Sequence, residues 1–181
     1  KDLRKVVILL AHPNIKESQA NKALVDAVSD MEGVAVFNLY ELSQEIAFNI
    51  DEWSKIISDA SAVIYQFPFY WMSAPSLLKK WQDEVFTFLS KTPAVAGKPL
   101  TVVTTTGSEY EAYRSGGRNR FTTDELLRPY QVSAIHSGMS WQTPIVVYGM
   151  GTADAGKNIA EGANLLSPTP FIISYRLSEF T

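Results

Sequence analysis

Short unbroken apolar runs alternate along this chain with longer stretches in which apolar residues recur every three or four positions. Residues 5–11 form the first run, and such a run suits a strand covered on both faces of a parallel sheet. A polar loop, His12-Pro13-Asn14-Ile15-Lys16-Glu17-Ser18, follows it. A helix is expected over 19–31, with Ala20, Leu24, Val25 and Val28 facing inward and Gly33 stopping it. Residues 34–39 read as a second strand and 41–50 as irregular. Asp51 is the expected cap of a short helix carrying Trp53, Ile56 and Ile57.

The run 62–67 reads as a third strand, broken at Pro68 and followed by Phe69, Tyr70 and Trp71. Behind Ser73 and Pro75 a helix is expected, because proline at a helix start gives up an N–H that has no partner there. Leu77, Leu78, Trp81, Val85 and Phe86 form its apolar face. After a loop over 92–99, residues 100–106 form a fourth strand, β-branched in its middle. Residues 107–120 are polar and contain glycine. Thr122 with Glu125 offers a capping box for a helix toward Gly138, and Pro129 predicts a break within it. Residues 141–148 read as a fifth strand, and Thr152 or Asp154 caps a last helix to about Leu166.

Strands alternating with helices at this spacing imply βαβ units and a parallel sheet. The expected fold is α/β: one domain over residues 1–181, a doubly wound five-stranded parallel sheet in the flavodoxin-like order 2-1-3-4-5. In that order the loops after strands one, three and four meet at a switch point, where such sheets bind ligands.

Composition narrows the chemistry. Hydrophobic residues make up 46% and charged ones 19%, an ordinary globular mixture. A net charge of −3 gives no nucleic-acid footprint. There are no cysteines, so disulfides, thiolate metal sites and a cysteine nucleophile are excluded, and redox chemistry requires a bound cofactor. The early apolar run is too short for a signal-peptide core or a membrane span. A cytoplasmic location is expected.

The three loops carry the candidate residues. Ser18, Gln19, Ala20 and Asn21 place a hydroxyl and free backbone N–H groups at a helix start, which suits an anion; Ser18 as a plain cap remains the alternative. His12 stands at the approach to that anion, and without a second ligand cluster a metal is not expected. Pro68, Phe69, Tyr70 and Trp71 supply flat surface and stiffened backbone for a planar ring such as a flavin. Thr105, Thr106, Gly107 and Ser108 open the third loop, and Gly107 permits close approach. Tyr113 offers a phenol as donor, or is an exposed loop tyrosine. Arg114, Arg118 and Arg120 either clamp a 2′-phosphate of NADPH or belong to a solvated loop. Gly149-Met150-Gly151 mimics a dinucleotide motif but lacks the third glycine, and reads as a turn plus cap. His136 reads as packed or surface.

These residues resemble the flavodoxin-like NAD(P)H:quinone oxidoreductases. The likeness is greatest to short bacterial members, which include ancillary oxidoreductases of glutathione-gated potassium-efflux systems. It rests on Ala11-His12-Pro13 with Ser18 to Asn21, on Gln66-Phe67-Pro68-Phe69-Tyr70-Trp71 through Pro75, Leu78-Lys79, Trp81 and Val85-Phe86, and on Thr105 to Ser108. It implies a bound flavin, two-electron hydride transfer from NAD(P)H to quinones, and a homodimer. His12 and Ser18 to Asn21 would hold the flavin phosphate, Pro68 to Trp71 and Thr105 to Ser108 the ring, and Tyr113 would stabilise charge on it. Tyr70 stands where the family often has glutamine and Ser108 where it often has glycine. Asn119 replaces the histidine of a tyrosine–histidine relay.

FMN is expected over FAD, since after Tyr148 the chain runs only to Thr181 and shows no segment for an adenosine. Trp53, Trp71, Trp141 and the run 67–71 offer surplus aromatic surface, which supports a homodimer. One face open to both substrates implies ping-pong kinetics. A one-electron flavodoxin carrier and a regulatory subunit of a membrane efflux system stay open as alternatives.

Overall fold

The computed structural model of the protein describes residues 5–42 and 47–167. Strands β1 (Val6–Leu10), β2 (Val34–Asn38), β3 (Ala62–Pro68) and β4 (Pro99–Thr105) run parallel in the order β2-β1-β3-β4. β3 and β4 are buried along their whole length, as their unbroken apolar and β-branched sequences require.

The fifth position is two strands rather than the single one expected. β5 (Ser140–Trp141) and β6 (Ile145–Val147) both pair with β4. Leu100 faces Trp141 but Val103 faces Ile145, so three steps along β4 meet four along its neighbour. The extra residue and Pro144, which has no N–H for the ladder, break the strand there. The order 2-1-3-4-5 stands with that split.

Side chains alternate across the sheet into two cores. On one face Leu24 of helix α1 (Ala20–Asp26) and Leu166 of the last helix pack with Ile8, Ile64, Val103 and Val147. On the other, α2 (Ile50–Asp59), α3 (Ser76–Trp81) and a helix over Arg128–His136 cover Leu9, Tyr65, Phe67 and Val102. An aromatic chain runs through this second core: Trp53 meets Trp81 edge-on at 5.5 Å, and Trp81 meets Tyr65 at 6.0 Å.

Helix ends refine several expectations. α1 stops at Asp26, and turns carry the chain to Gly33, whose φ is +86°. α2 is capped by Asn49, whose side chain accepts from the Glu52 N–H, and Asp51 lies inside the first turn. Pro75 sits one position before α3 with extended ψ, while a π-helical turn (Gln82–Phe86) and a final turn (Thr87–Leu89) continue the helix. Leu39–Leu42 is a helical turn, so the second strand ends one residue before the expected Leu39, and residues 41 and 42 are helical where irregular chain was expected. Residues 43–46 of the same stretch lie outside the described residues.

The capping box forms as read: Thr122 and Glu125 bond reciprocally at the start of α4 (Thr123–Leu126). Pro129 then opens α5 (Arg128–His136), giving the expected break. In α6 (Ala155–Leu166) Asp154 holds the cap position without a side-chain bond.

Candidate functional site

The carboxyl ends of β1, β3 and β4 surround one crevice of about 360 Å³. The strand ends are locked together. The Phe69 N–H donates to the Thr105 carbonyl at 2.9 Å, and Thr104 Oγ1 donates to the Phe67 carbonyl at 2.7 Å. Ala11 N–H donates to the Gln66 carbonyl at 2.9 Å. The loops therefore leave the sheet from fixed points.

The first loop contributes His12, Ser18, Gln19, Ala20 and Asn21 to the wall. Ser18 Oγ accepts the Asn21 N–H at 3.0 Å, so Ser18 caps α1 from one residue before Gln19. The N–H groups of Gln19 and Ala20 have no intrahelical acceptor at this end and favour an anion. His12 Nδ1 accepts the Asn14 N–H at 3.0 Å. The neutral ring then carries its proton on Nε2, as a donor. Burial lowers the His12 pKa below its usual value, which keeps it neutral at pH 7.

Beneath that loop lies a buried polar cluster. Asn21 Nδ2 donates to Thr105 Oγ1 at 3.1 Å, and Gln66 Nε2 donates to the Asn21 main-chain carbonyl at 3.1 Å. Both Asn21 and Gln66 are essentially inaccessible. The cluster ties the start of α1 to β3 and β4, so the anion-favouring N–H groups cannot drift from the sheet.

The second loop contributes Pro68, Phe69 and Tyr70. Trp71 does not line the crevice. It projects from the rim, 97% exposed. Of the aromatic surface that suggested a homodimer, Trp53 and Phe67 are consumed by the core and Phe69 and Trp141 are half-buried, which leaves Tyr70 and Trp71 exposed, with Met72 beside them.

The third loop contributes Thr105, Thr106 and Gly107. A Cβ at Gly107 would meet no protein atom, so the backbone there borders open space. The Ser108 side chain is turned away, its Oγ taken by the Arg118 guanidinium at 2.7 Å. Arg118 also pairs with Glu109 at 2.7 Å, and the Arg114 guanidinium lies 5.6 Å from the Tyr110 ring. The arginine loop is a built structure. A Cβ on Gly117 would stand 2.2 Å from the Glu111 carbonyl oxygen, so only glycine lets the loop close on the turn Tyr110–Tyr113.

Tyr113 is buried, and stands behind Phe69 with the rings edge-on at 6.0 Å. It borders a second cavity of about 410 Å³, shared with Tyr110, Arg114 and Tyr148. Burial raises its pKa, against the lowering effects of Ser108 and Arg118, so the phenol stays protonated as a donor.

Sequence reasoning missed one wall of the crevice: Met150, Ala155 and Ile159. The turn at 149–151, with Gly149 at φ +77°, lies along the third loop. The N–H groups of Gly149, Met150 and Gly151 donate to the carbonyls of Ser108, Thr106 and Gly107 at 2.8–2.9 Å. That pairing spans some forty positions and leaves no local signal. His136 is exposed at the end of α5, away from the crevice. Among the described residues no group of three or more His, Asp or Glu side chains converges as a metal site, and no helix is long and apolar enough to cross a membrane.

The donor set fits a phosphorylated planar cofactor. Helix N–H groups, the Ser18 hydroxyl and the His12 ring lie at one part of the crevice wall, and Phe69, Tyr70 and an open Gly107 backbone at another.

Among known proteins, the chain is 35% identical to the uncharacterised NAD(P)H oxidoreductase YdeQ of Bacillus subtilis, over 90% of this chain and 84% of that one. It is 36% identical to KefG of Serratia proteamaculans, an ancillary protein of a glutathione-regulated potassium-efflux system, over 80% and 81%. The crystal structure of general stress protein 14 from Treponema denticola, in complex with FMN, superposes with a TM-score of 0.81 at 29% identity, over 90% and 95%. An NADPH-quinone reductase from P. pentosaceus gives 0.77 at 26%, over 90% and 97%. The family described as a flavodoxin-like fold matches residues 4–166, and with the sheet order above this chain belongs to that family.

Proposed function

We propose that the protein is an FMN-dependent NAD(P)H oxidoreductase acting on quinones or similar acceptors. The observation that carries this reading is the convergence of the β1, β3 and β4 loops on one crevice lined both by His12, Ser18 and the start of α1 and by Pro68, Phe69 and Tyr70. The FMN complex of a structural neighbour and the oxidoreductase names of relatives support it.

Bound FMN would supply two-electron hydride transfer between nicotinamide and acceptor. The chain's own residues do the rest. The Gln19 and Ala20 N–H groups, Ser18 and the His12 Nε2–H bind the phosphate. Pro68, Phe69 and Tyr70, with Thr105 to Gly107, orient the ring. Trp71 projects from the rim and Ser108 Oγ is held by Arg118, so neither side chain is assigned to the ring. Tyr113, protonated at neutral pH, borders the neighbouring cavity behind Phe69, so its dipole would act on charge at the ring across Phe69 and not through a direct hydrogen bond.

The two substrates occupy the same open side of the crevice in turn, giving ping-pong kinetics. Hydride and a proton then convert a quinone to its hydroquinone. The exposed Tyr70–Met72 surface supports a homodimer, and a cytoplasmic location agrees with NAD(P)H as donor. KefG relatives keep a second reading open, an ancillary subunit of an efflux system.

Initial rates of FMN-loaded protein, varied in NADPH and benzoquinone, test the enzyme reading. Parallel double-reciprocal lines are expected, whereas intersecting lines contradict the shared crevice. Mass spectrometry of the extracted cofactor should give FMN; an FAD mass contradicts that choice. Residues 168–181, part of the case against FAD, lie outside the described residues.

A further inference from the structure

The crevice rim holds a strained turn. Tyr70 and Ser73 exchange two main-chain hydrogen bonds, 2.8 and 3.1 Å, around Trp71 and Met72. Both central residues have positive φ, +49° and +63°. Left-handed φ at both central positions is the mark of a type I′ turn, normally built from Asn and Gly. For other L-residues that conformation is strained, because Cβ crowds the following carbonyl oxygen. Local packing offers little compensation, since Trp71 is 97% exposed and Met72 41%.

Support arrives from α5, fifty-seven positions along the chain. The Tyr130 ring is buried at 5% exposure, 5.3 Å from the Phe67 ring and 6.3 Å from that of Tyr65. Its oxygen accepts the Ala74 N–H at 3.2 Å and shares a hydrogen bond with Ser73 Oγ, also at 3.2 Å. The same side chain therefore packs on the strand before the turn and bonds the residues that leave it. At the other end the turn is anchored by the Phe69–Thr105 bond.

We infer that the Tyr130 hydroxyl is a positioning strut, holding the Tyr70–Ser73 turn in its left-handed form and fixing where Phe69 and Tyr70 stand on the crevice wall. Its consequence for ligands rests on the reading of that crevice as the FMN site. The strut itself does not.

The test uses Tyr130→Phe, which keeps the ring packing, and Tyr130→Phe/Met72→Gly, in which glycine adopts positive φ without strain. Amide exchange is followed by NMR in the FMN-free protein. With bonds to the hydroxyl gone, the Tyr70 and Ser73 amides should exchange about tenfold faster in Tyr130→Phe, while β3 and β4 amides keep their rates. The added glycine should return them toward wild-type rates. FMN should dissociate severalfold more readily from the single variant, and recover in the double one. Unchanged turn exchange in Tyr130→Phe, or no recovery on adding Met72→Gly, overturns the strut. A loosened turn with unchanged FMN affinity upholds the strut and counts against Phe69 and Tyr70 as flavin contacts.

Discussion

Gln66 Nε2 donates to both the main-chain carbonyl and the side-chain Oδ1 of Asn21, at 3.1 and 3.3 Å, across forty-five positions of sequence. Both residues are buried, and Gln66 Oε1 has no partner. The two substitutions at this contact should therefore differ. Asn21→Leu leaves Gln66 Nε2 its bond to the main-chain carbonyl at position 21 but takes the donor from Thr105 Oγ1 and leaves Gln66 Oε1 unpartnered, and should cost about 1–3 kcal/mol. Gln66→Leu takes the donor from Asn21 Oδ1 but removes the unpartnered Oε1 in offset, and should cost only about 1 kcal/mol. Urea unfolding of both variants measures the difference, and equal costs would show that the unpartnered Gln66 Oε1 carries no penalty.

Acidification should act first through His12. Its folded-state pKa is lowered by burial, so the unfolded chain takes up the proton first. Stability is full above the ordinary histidine value of about 6.5 and falls as pH drops below it toward the lowered folded value. Glu84, lowered by its bonds to Lys80 and the Phe48 N–H, and Glu125, lowered by Thr122, act further down, below the ordinary carboxylate range. His12→Asn should flatten the upper window alone. Urea midpoints at pH 7.5 and 5.5 test this, and an unchanged slope in the variant refutes it.

Tyr113→Phe should leave FMN affinity within about twofold, because the residue stands behind Phe69. Flavin reduction by NADPH should slow by about twofold to fivefold, through loss of a phenol dipole that acts across Phe69. Stopped-flow absorbance measures it. An unchanged rate assigns Tyr113 to packing alone.

Much of this was legible because it is written in local pattern. Buried parallel strands read as apolar runs, the capping box at Thr122 is four consecutive residues, and the switch point follows from strand order. Eleven of the thirteen candidate cofactor residues line the crevice; Trp71 and Ser108 do not. What stayed hidden depends on distant partners. Arg118 turns Ser108 away, the 149–151 turn becomes a wall by pairing with the third loop, and Tyr130 meets Ser73 only once α5 has docked. The split fifth strand needed the register against β4, which no single segment carries.

FMN binding in the crevice at the ends of β1, β3 and β4 is the step on which the proposed oxidoreductase activity rests. The direct measurement is titration of the purified, flavin-stripped protein with FMN, followed by quenching of flavin fluorescence, beside a Ser18→Ala/Gly107→Trp variant that removes the α1 cap and fills the open backbone. Saturable one-to-one binding is expected for the wild type, with a loss of at least about tenfold in the variant, each tenfold being about 1.4 kcal/mol. A wild-type protein that does not bind FMN, or a folded variant that binds it equally well, would contradict FMN binding in the crevice.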